Sequence, residues 1–212
     1  MADDKNKISR HLAKELLTIG AVKLRPEQPF TWASGWRSPI YCDNRVTLSY
    51  PELRTYIKRA LAGMVTHYFG QVEAIAGVAT AGIPQAALVA EELNLPLAYV
   101  RSSPKGHGME NLIEGELGEK RKVVLIEDLV STGGSSLKAA EALKTKGHQV
   151  LGMLSIFTYG FSIAKENFAQ AGIQLVSLSN YDVLVEEALN LNLISASELD
   201  SLQSWRMAPQ NW

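Results

Sequence analysis

From residue 72 onward, short apolar runs rich in β-branched residues alternate with amphipathic helical stretches, and this alternation leaves few folds open. VEAIAGVA, LPLAYV, KVVLIEDL and QVLGMLSIF read as buried strands, and IPQAALVAEEL and SSLKAAEALKTKG read as the helices among them. A strand that is apolar on both faces needs cover on both, which crossover helices supply. The expected fold class is α/β, a mostly parallel sheet flanked by helices with right-handed crossovers. Upstream, Ile8, Leu12, Leu16 and Ile19 share one helical face that Gly20 can terminate. Residues 22–47 read as extended pieces broken by turns. A second helix follows, with Ser49 as candidate cap, Pro51 in its first turn and Gly70 as its stop. Its apolar stripe is Leu53, Ile57, Leu61, Met64 and Tyr68. Residues 180–206 read as two helices, and SASE at 195–198 is a candidate capping box for the last. No internal repeat interrupts the pattern, so residues 1–212 are expected to form one domain.

Bulk properties exclude several function classes. The formal net charge is -1, without the basic stripe of a nucleic-acid binder, so no nucleic-acid partner is expected. The single cysteine, Cys42, rules out an internal disulfide framework and reads as a small half-buried residue. The polar start MADDKNKISR lacks the apolar stretch of a secretory signal, and no apolar run spans a bilayer. The expectation is a cytoplasmic protein with no membrane partner.

The strongest chemical signal is VVLIEDLVSTGGSSLKAA, residues 123–140. A buried strand ends in Glu127 and Asp128, a loop of small hydroxyl residues and glycines follows, and a helix begins. Gly133 and Gly134 allow close backbone approach, free N–H groups at the helix start point at an anion, and Ser131, Thr132, Ser135 and Ser136 add donors. Two carboxylates repel phosphate but accept hydrogen bonds from sugar hydroxyls, so a phosphorylated ribose fits. Helix capping alone explains the serines. It does not explain consecutive acids at the carboxyl end of a strand, where ligands of open α/β sheets bind.

Three other segments stay open on residue chemistry alone. GVATAGIP, residues 77–84, is either a diphosphate-binding turn or a packing turn. Ile83 and Pro84 stand where a P-loop needs Lys and Ser or Thr. RSSPKGHGMENLIEGELGEK, residues 101–120, is either a mobile lid carrying Arg101, Lys105 and His107 or a solvated loop. FTWASGWRSPIYCDNR, residues 30–45, either packs Trp32, Trp36 and Tyr41 into a core or roofs a flat base, with Arg37 nearby for an anionic group.

IEDLVSTGGSS resembles the diphosphate-ribose motif of the type I phosphoribosyltransferases. FTWASGWRSPIYCDNR and YVRSSPKGHG are similar to segments of that family's orotate branch, and the likeness runs from about residue 8 to the C-terminus. The resemblance implies transfer of a phosphoribosyl group from phosphoribosyl diphosphate to orotate, with Mg²⁺ held mainly by substrate and no protein metal site. It implies a hood formed largely by residues 1–47. Glu127 and Asp128 would bind the ribose hydroxyls, and Leu129, Val130, Ser131, Thr132, Gly133, Gly134 and Ser135 would hold the 5-phosphate. Ser131 would also sit near orotate, with Arg37 and Tyr41 as further candidates there. Arg101, Lys105 and His107 keep the spacing of the family's catalytic loop and, with Asp128, would carry catalysis. That loop closes over the neighbouring subunit's site in the family, which implies a homodimer with shared sites. The chain departs from the better-known pattern at Ala33 and Ala81, where lysines are usual, at Ser102, which follows Arg101 where a basic pair is usual, and around Tyr159, where an arginine is usual. Arg37 is the candidate to compensate. Two rivals share the 123–136 motif. A purine-base transferase should lack the 30–45 segment, and a non-catalytic regulator would carry a DNA-binding domain or a basic face.

Overall fold

The computed structural model describes residues 2–32, 35–103 and 112–211. The chain opens with α1 (Ala2–Thr18) and four short strands, β1 (Val22–Leu24), β2 (Phe30–Thr31), β3 (Arg37–Ser38) and β4 (Ile40–Cys42). β1 pairs with β4 and β2 with β3, both antiparallel. A 3₁₀ turn (Asn44–Ser49) then leads into α2 (Pro51–Tyr68). The main body is β5 (Ala74–Val78), α3 (Gly82–Leu93), β6 (Leu97–Val100), β7 (Ile113–Glu114), β8 (Lys122–Val130), α4 (Gly134–Thr145), β9 (Gln149–Thr158), α5 (Ser162–Gln170) and β10 (Leu175–Asn180). α6 (Tyr181–Asn190) and α7 (Ala196–Met207) close the chain.

Six strands form one sheet in the order β10-β9-β8-β5-β6-β7, parallel except for the edge strand β7. The expected α/β class is what folds. Successive β8 side chains go to opposite cores, Val123 and Leu125 to one and Val124 and Ile126 to the other, all fully buried. The double burial explains the unbroken apolar run. β6 and β8 flank β5 on opposite sides. The winding therefore reverses between β5 and β8, and their carboxyl ends open the crevice where such sheets take ligands.

Several local expectations are corrected. The N-cap of α2 lies one residue beyond Ser49: it is Tyr50, without a side-chain hydrogen bond, while Ser49 closes the 3₁₀ turn. Tyr68, placed on the apolar stripe, is 36% exposed as the last residue of α2. α5 and β10 escape the periodicity reading because β10, LVSLSN, alternates leucine and valine with serine. Those serines find partners inside the fold. Ser177 shares a 2.6 Å hydrogen bond with Ser155, and Ser179 donates to the Ser9 carbonyl at 3.0 Å. The capping box is present, with Ser195 and Glu198 bonded reciprocally. Among the described residues no helix is long and apolar enough to cross a membrane.

The segment expected to form the hood divides. α1 lies on β10 and α6, while β2 and β3 are held by the C-terminal helix. Trp205, fully buried, donates from Nε1 to the Arg37 carbonyl at 3.1 Å, and its ring meets those of Trp32, Tyr159, Phe161 and Tyr181. Trp205→Ala should cost about 3–5 kcal/mol of stability through the cavity it leaves. A thermal or urea melt reads this directly, and a loss under about 1 kcal/mol would mean the cluster repacks freely.

Candidate functional site

β8 delivers Glu127 and Asp128 to the crevice. Glu127 is 5% exposed, and its carboxylate accepts from the Ser136 hydroxyl at 2.8 Å and from the Asp128 N–H at 3.0 Å. Burial pushes the Glu127 carboxyl up, and the adjacent Asp128 carboxyl raises it further, against the lowering effect of Ser136. Burial also raises Asp128, against hydrogen bonds from Glu127 and the Leu129 N–H. The pair therefore holds protons more tightly than ordinary carboxylates do. Ser136, expected to add a donor to the anion cradle, instead spends its hydroxyl on Glu127.

Close backbone approach builds the crevice walls. A Cβ on Gly82 would lie 2.6 Å from the Ile126 carbonyl oxygen, so only glycine lets the start of α3 touch β8 beside the acids. The GVATAGIP turn, which includes a cis Ala79–Thr80 peptide, thus borders the same crevice. On the other side Gly133 has φ +83° and is the N-cap of α4; a Cβ there would also meet the Phe168 ring at 2.7 Å. No side chain caps α3 or α4, whereas Asn180 and Ser195 cap α6 and α7. The N–H groups at the start of α4 remain available to an anion. Asn167 of α5 fixes the loop between β8 and α4 by donating to the Thr132 carbonyl at 3.0 Å.

Of the remaining loop residues, Ser131 and Thr132 are half-buried, and Gly134 and Ser135 are exposed at the helix start. Leu129 and Val130 still belong to β8. Val130 is fully buried and its carbonyl receives the Tyr159 N–H at 3.1 Å, so these two can offer only main chain. From the hood, Asn44, 1% exposed, donates Nδ2 to the Asp128 carbonyl at 2.8 Å, and the Cys42 thiol donates to its Oδ1 at 3.4 Å. Burial, with Asp128 and Asp43 nearby, pushes the Cys42 thiol up and keeps it protonated.

Other candidates lie further out. Arg101, at the end of β6, faces Glu114 at 3.4 Å. Lys105 and His107 lie outside the described residues, as does Ala33. Arg37 exposes its side chain while its carbonyl anchors Trp205, and Tyr41 is 42% exposed. Trp32 and Trp36 pack toward Tyr159 and Phe161 in the aromatic core, so packing accounts for them and leaves Tyr41 facing outward. Tyr159 is 2% exposed, and burial raises its hydroxyl well above the ordinary range. Among the described residues no cluster of three or more His, Cys, Asp or Glu side chains could hold a metal. Asn44 and Asn167 were missed as supports, because each acts across a long stretch of chain on a main-chain carbonyl.

Known proteins resemble this chain in sequence and fold. The phosphoribosyl transferase domain profile matches residues 48–168. The orotate phosphoribosyltransferase of Porphyromonas gingivalis is 56% identical over 205 residues, covering 97% of this chain and 98% of that protein. The Aeropyrum pernix orotate phosphoribosyltransferase superposes with a TM-score of 0.75 at 34% identity, covering 87% of this chain and 99% of that one. Leishmania donovani UMP synthase superposes at 0.79 with 29% identity, covering 96% of this chain and 42% of that one. A crevice holding Glu127 and Asp128 beside an uncapped helix, on a chain that matches the Porphyromonas gingivalis orotate phosphoribosyltransferase nearly end to end, places it in the orotate phosphoribosyltransferase branch of the type I phosphoribosyltransferase family.

Proposed function

We propose that this chain transfers the 5-phosphoribosyl group of phosphoribosyl diphosphate to orotate. The products are orotidine 5′-monophosphate and diphosphate, on the route to UMP. The observation that carries the reading is the carboxyl pair at the switch point, Glu127 buried and Asp128 half-buried, set between the starts of α3 and α4, which no side chain caps. Main-chain N–H groups at Gly134 and Ser135, with the hydroxyls of Ser131 and Thr132, take the 5-phosphate, while Glu127 and Asp128 accept the ribose hydroxyls. Ser131 lies on the side of the base, and the exposed Arg37 and Tyr41 are further candidates to reach it.

The bond from ribose C1 to the diphosphate oxygen breaks and leaves positive charge on the sugar, which the two carboxylates stabilise. A ring nitrogen of orotate then supplies the electron pair for the new C1–N bond and gives up its proton, which the departing diphosphate can accept. The departing diphosphate gains negative charge, which Arg101, Lys105 and His107 neutralise. A closed lid keeps water from the activated sugar. A Mg²⁺ ion carried on the substrate's phosphates would add to the neutralisation of the diphosphate. The residues present suit an ion carried on substrate phosphates with help from Glu127 and Asp128, since Mg²⁺ takes one or two carboxylates plus phosphates and waters. The subunit works as one domain, residues 1–212 with most of the hood from 1–47, within a cytoplasmic homodimer whose loops serve the partner's site.

The test is loss of orotate absorbance on mixing the protein with orotate, phosphoribosyl diphosphate and Mg²⁺, with adenine, hypoxanthine and uracil as competing bases. Turnover with orotate and its abolition by EDTA are expected. Preference for another base would overturn the base assignment, and full activity after chelation would remove the Mg²⁺ requirement.

A further inference from the structure

Arg45 follows Asn44 at the start of the 3₁₀ turn, and Asn44 is bonded to the Asp128 carbonyl, so Arg45 sits at the rim of the crevice. Its guanidinium grips Asp43 with a two-pronged contact, Nε to Oδ1 at 2.7 Å and Nη2 to Oδ2 at 2.8 Å. The arginine side chain is nevertheless 61% exposed. An ion pair so open to water contributes little to stability, so its partner can be exchanged at low cost. The charge of Arg45 also bears on Asp128, the acid of the crevice, whose carboxyl it lowers.

The other described cations around the crevice are differently engaged. Arg101 faces Glu114, and Arg206 is held by Asp182 and by the carbonyls of Tyr159 and Gly160. Arg37 extends to solvent from β3, and positions 81 and 159 are alanine and tyrosine. A planar fork that already holds one carboxylate side-on has the geometry to hold another, whereas lysine would offer only a point charge. Phosphate groups have their own donors at the start of α4.

We propose that Arg45 is a specificity-determining residue that binds the carboxylate of orotate, with Asp43 as an internal placeholder that the substrate's carboxylate displaces. The inference rests on the orotate reading above. It gives Asp43 two roles, capping the 3₁₀ turn through the Arg45 N–H at 3.1 Å and competing with substrate for the guanidinium.

The experiment compares wild type, Arg45→Gln, Arg45→Lys and Asp43→Asn, measuring KM for orotate and for phosphoribosyl diphosphate, with calorimetric binding of orotate alongside. Arg45→Gln should raise KM for orotate about tenfold, the usual effect of losing a charged hydrogen-bond partner, and leave the other KM within about twofold. Arg45→Lys should recover part of the loss. Asp43→Asn, which breaks the same pair but keeps the cation, should leave the orotate KM unchanged or lower it. If the pair is only a structural cap, Asp43→Asn and Arg45→Gln will raise it alike, and the proposal fails. Equal rises for both substrates would assign Arg45 to phosphate and also overturn it. A wild-type chain that does not consume orotate would refute the orotate reading itself. Calorimetry would then still show whether Arg45 holds orotate, and unchanged binding in Arg45→Gln would reject it.

Discussion

Asp128→Asn should reduce kcat by about a hundredfold or more, as expected when a charge that acts on the transition state is removed. The amide keeps the shape of the side chain and its place at the end of β8, but it cannot offset positive charge on the sugar. Glu127→Gln should also slow the reaction and should in addition reveal how the pair titrates. Burial raises both carboxyls, so the folded protein keeps protons that the unfolded chain has already lost. Above the ordinary carboxylate range, about pH 4, the folded state binds more protons than the unfolded one, and stability falls as pH rises through the raised folded values. Ribose hydroxyls, in contrast, are bound best by the ionised pair. Melting temperature should therefore fall with rising pH over the interval in which KM for phosphoribosyl diphosphate improves. Glu127→Gln should flatten the first trend. Melting curves of the two proteins that stay parallel from pH 5 to pH 8 (roughly one unit above the usual carboxylate values and upward) would show that Glu127 is ionised throughout and that its burial is offset by Ser136.

The acid pair was legible because its signal is local. Two acids at the end of an apolar run, followed within a few residues by Gly133 and Gly134, fix a strand end, a turn and a helix start from adjacent positions. The parallel sheet was legible for a similar reason, since strands buried on both faces cannot hide polar residues. Where a strand does contain them, as in β10, the reading fails, because its serines are satisfied by Ser9 and Ser155 from other parts of the chain. Asn44 was illegible on the same ground. Nothing in CDNR announces that one amide will meet a carbonyl 84 residues away. The hood aromatics gave an ambiguous pattern because packing and base stacking call for the same residue types. Only the contacts of Trp32 and Trp36 with the core around Trp205 separate them from Tyr41. Tyr159 shows the converse. Read as a replaced substrate contact, it is a core side chain whose ring stacks on Phe161.

A mixture of two inactive variants should regain activity if the loop bearing Lys105 works in the partner's site while Asp128 works in its own. Lys105→Ala and Asp128→Asn homodimers should each be nearly inactive, since every site in either lacks one essential group. After dissociation and random reassociation, about half the dimers are hybrids by C₂ pairing. In each hybrid one site combines both defects. The other combines the intact loop of the Asp128→Asn subunit with the intact Asp128 of the Lys105→Ala subunit. Activity should return to about a quarter of the wild-type value per subunit. If each loop serves its own subunit, every site in the hybrid still carries one defect and the mixture stays as inactive as its components. Subunit exchange is confirmed separately by tagging one variant and recovering the other with it. Exchange without recovery of activity rejects shared sites. Recovery near a quarter requires that Lys105 and Asp128 of different subunits meet at one active centre, because no arrangement within a single subunit generates an intact site from these two chains.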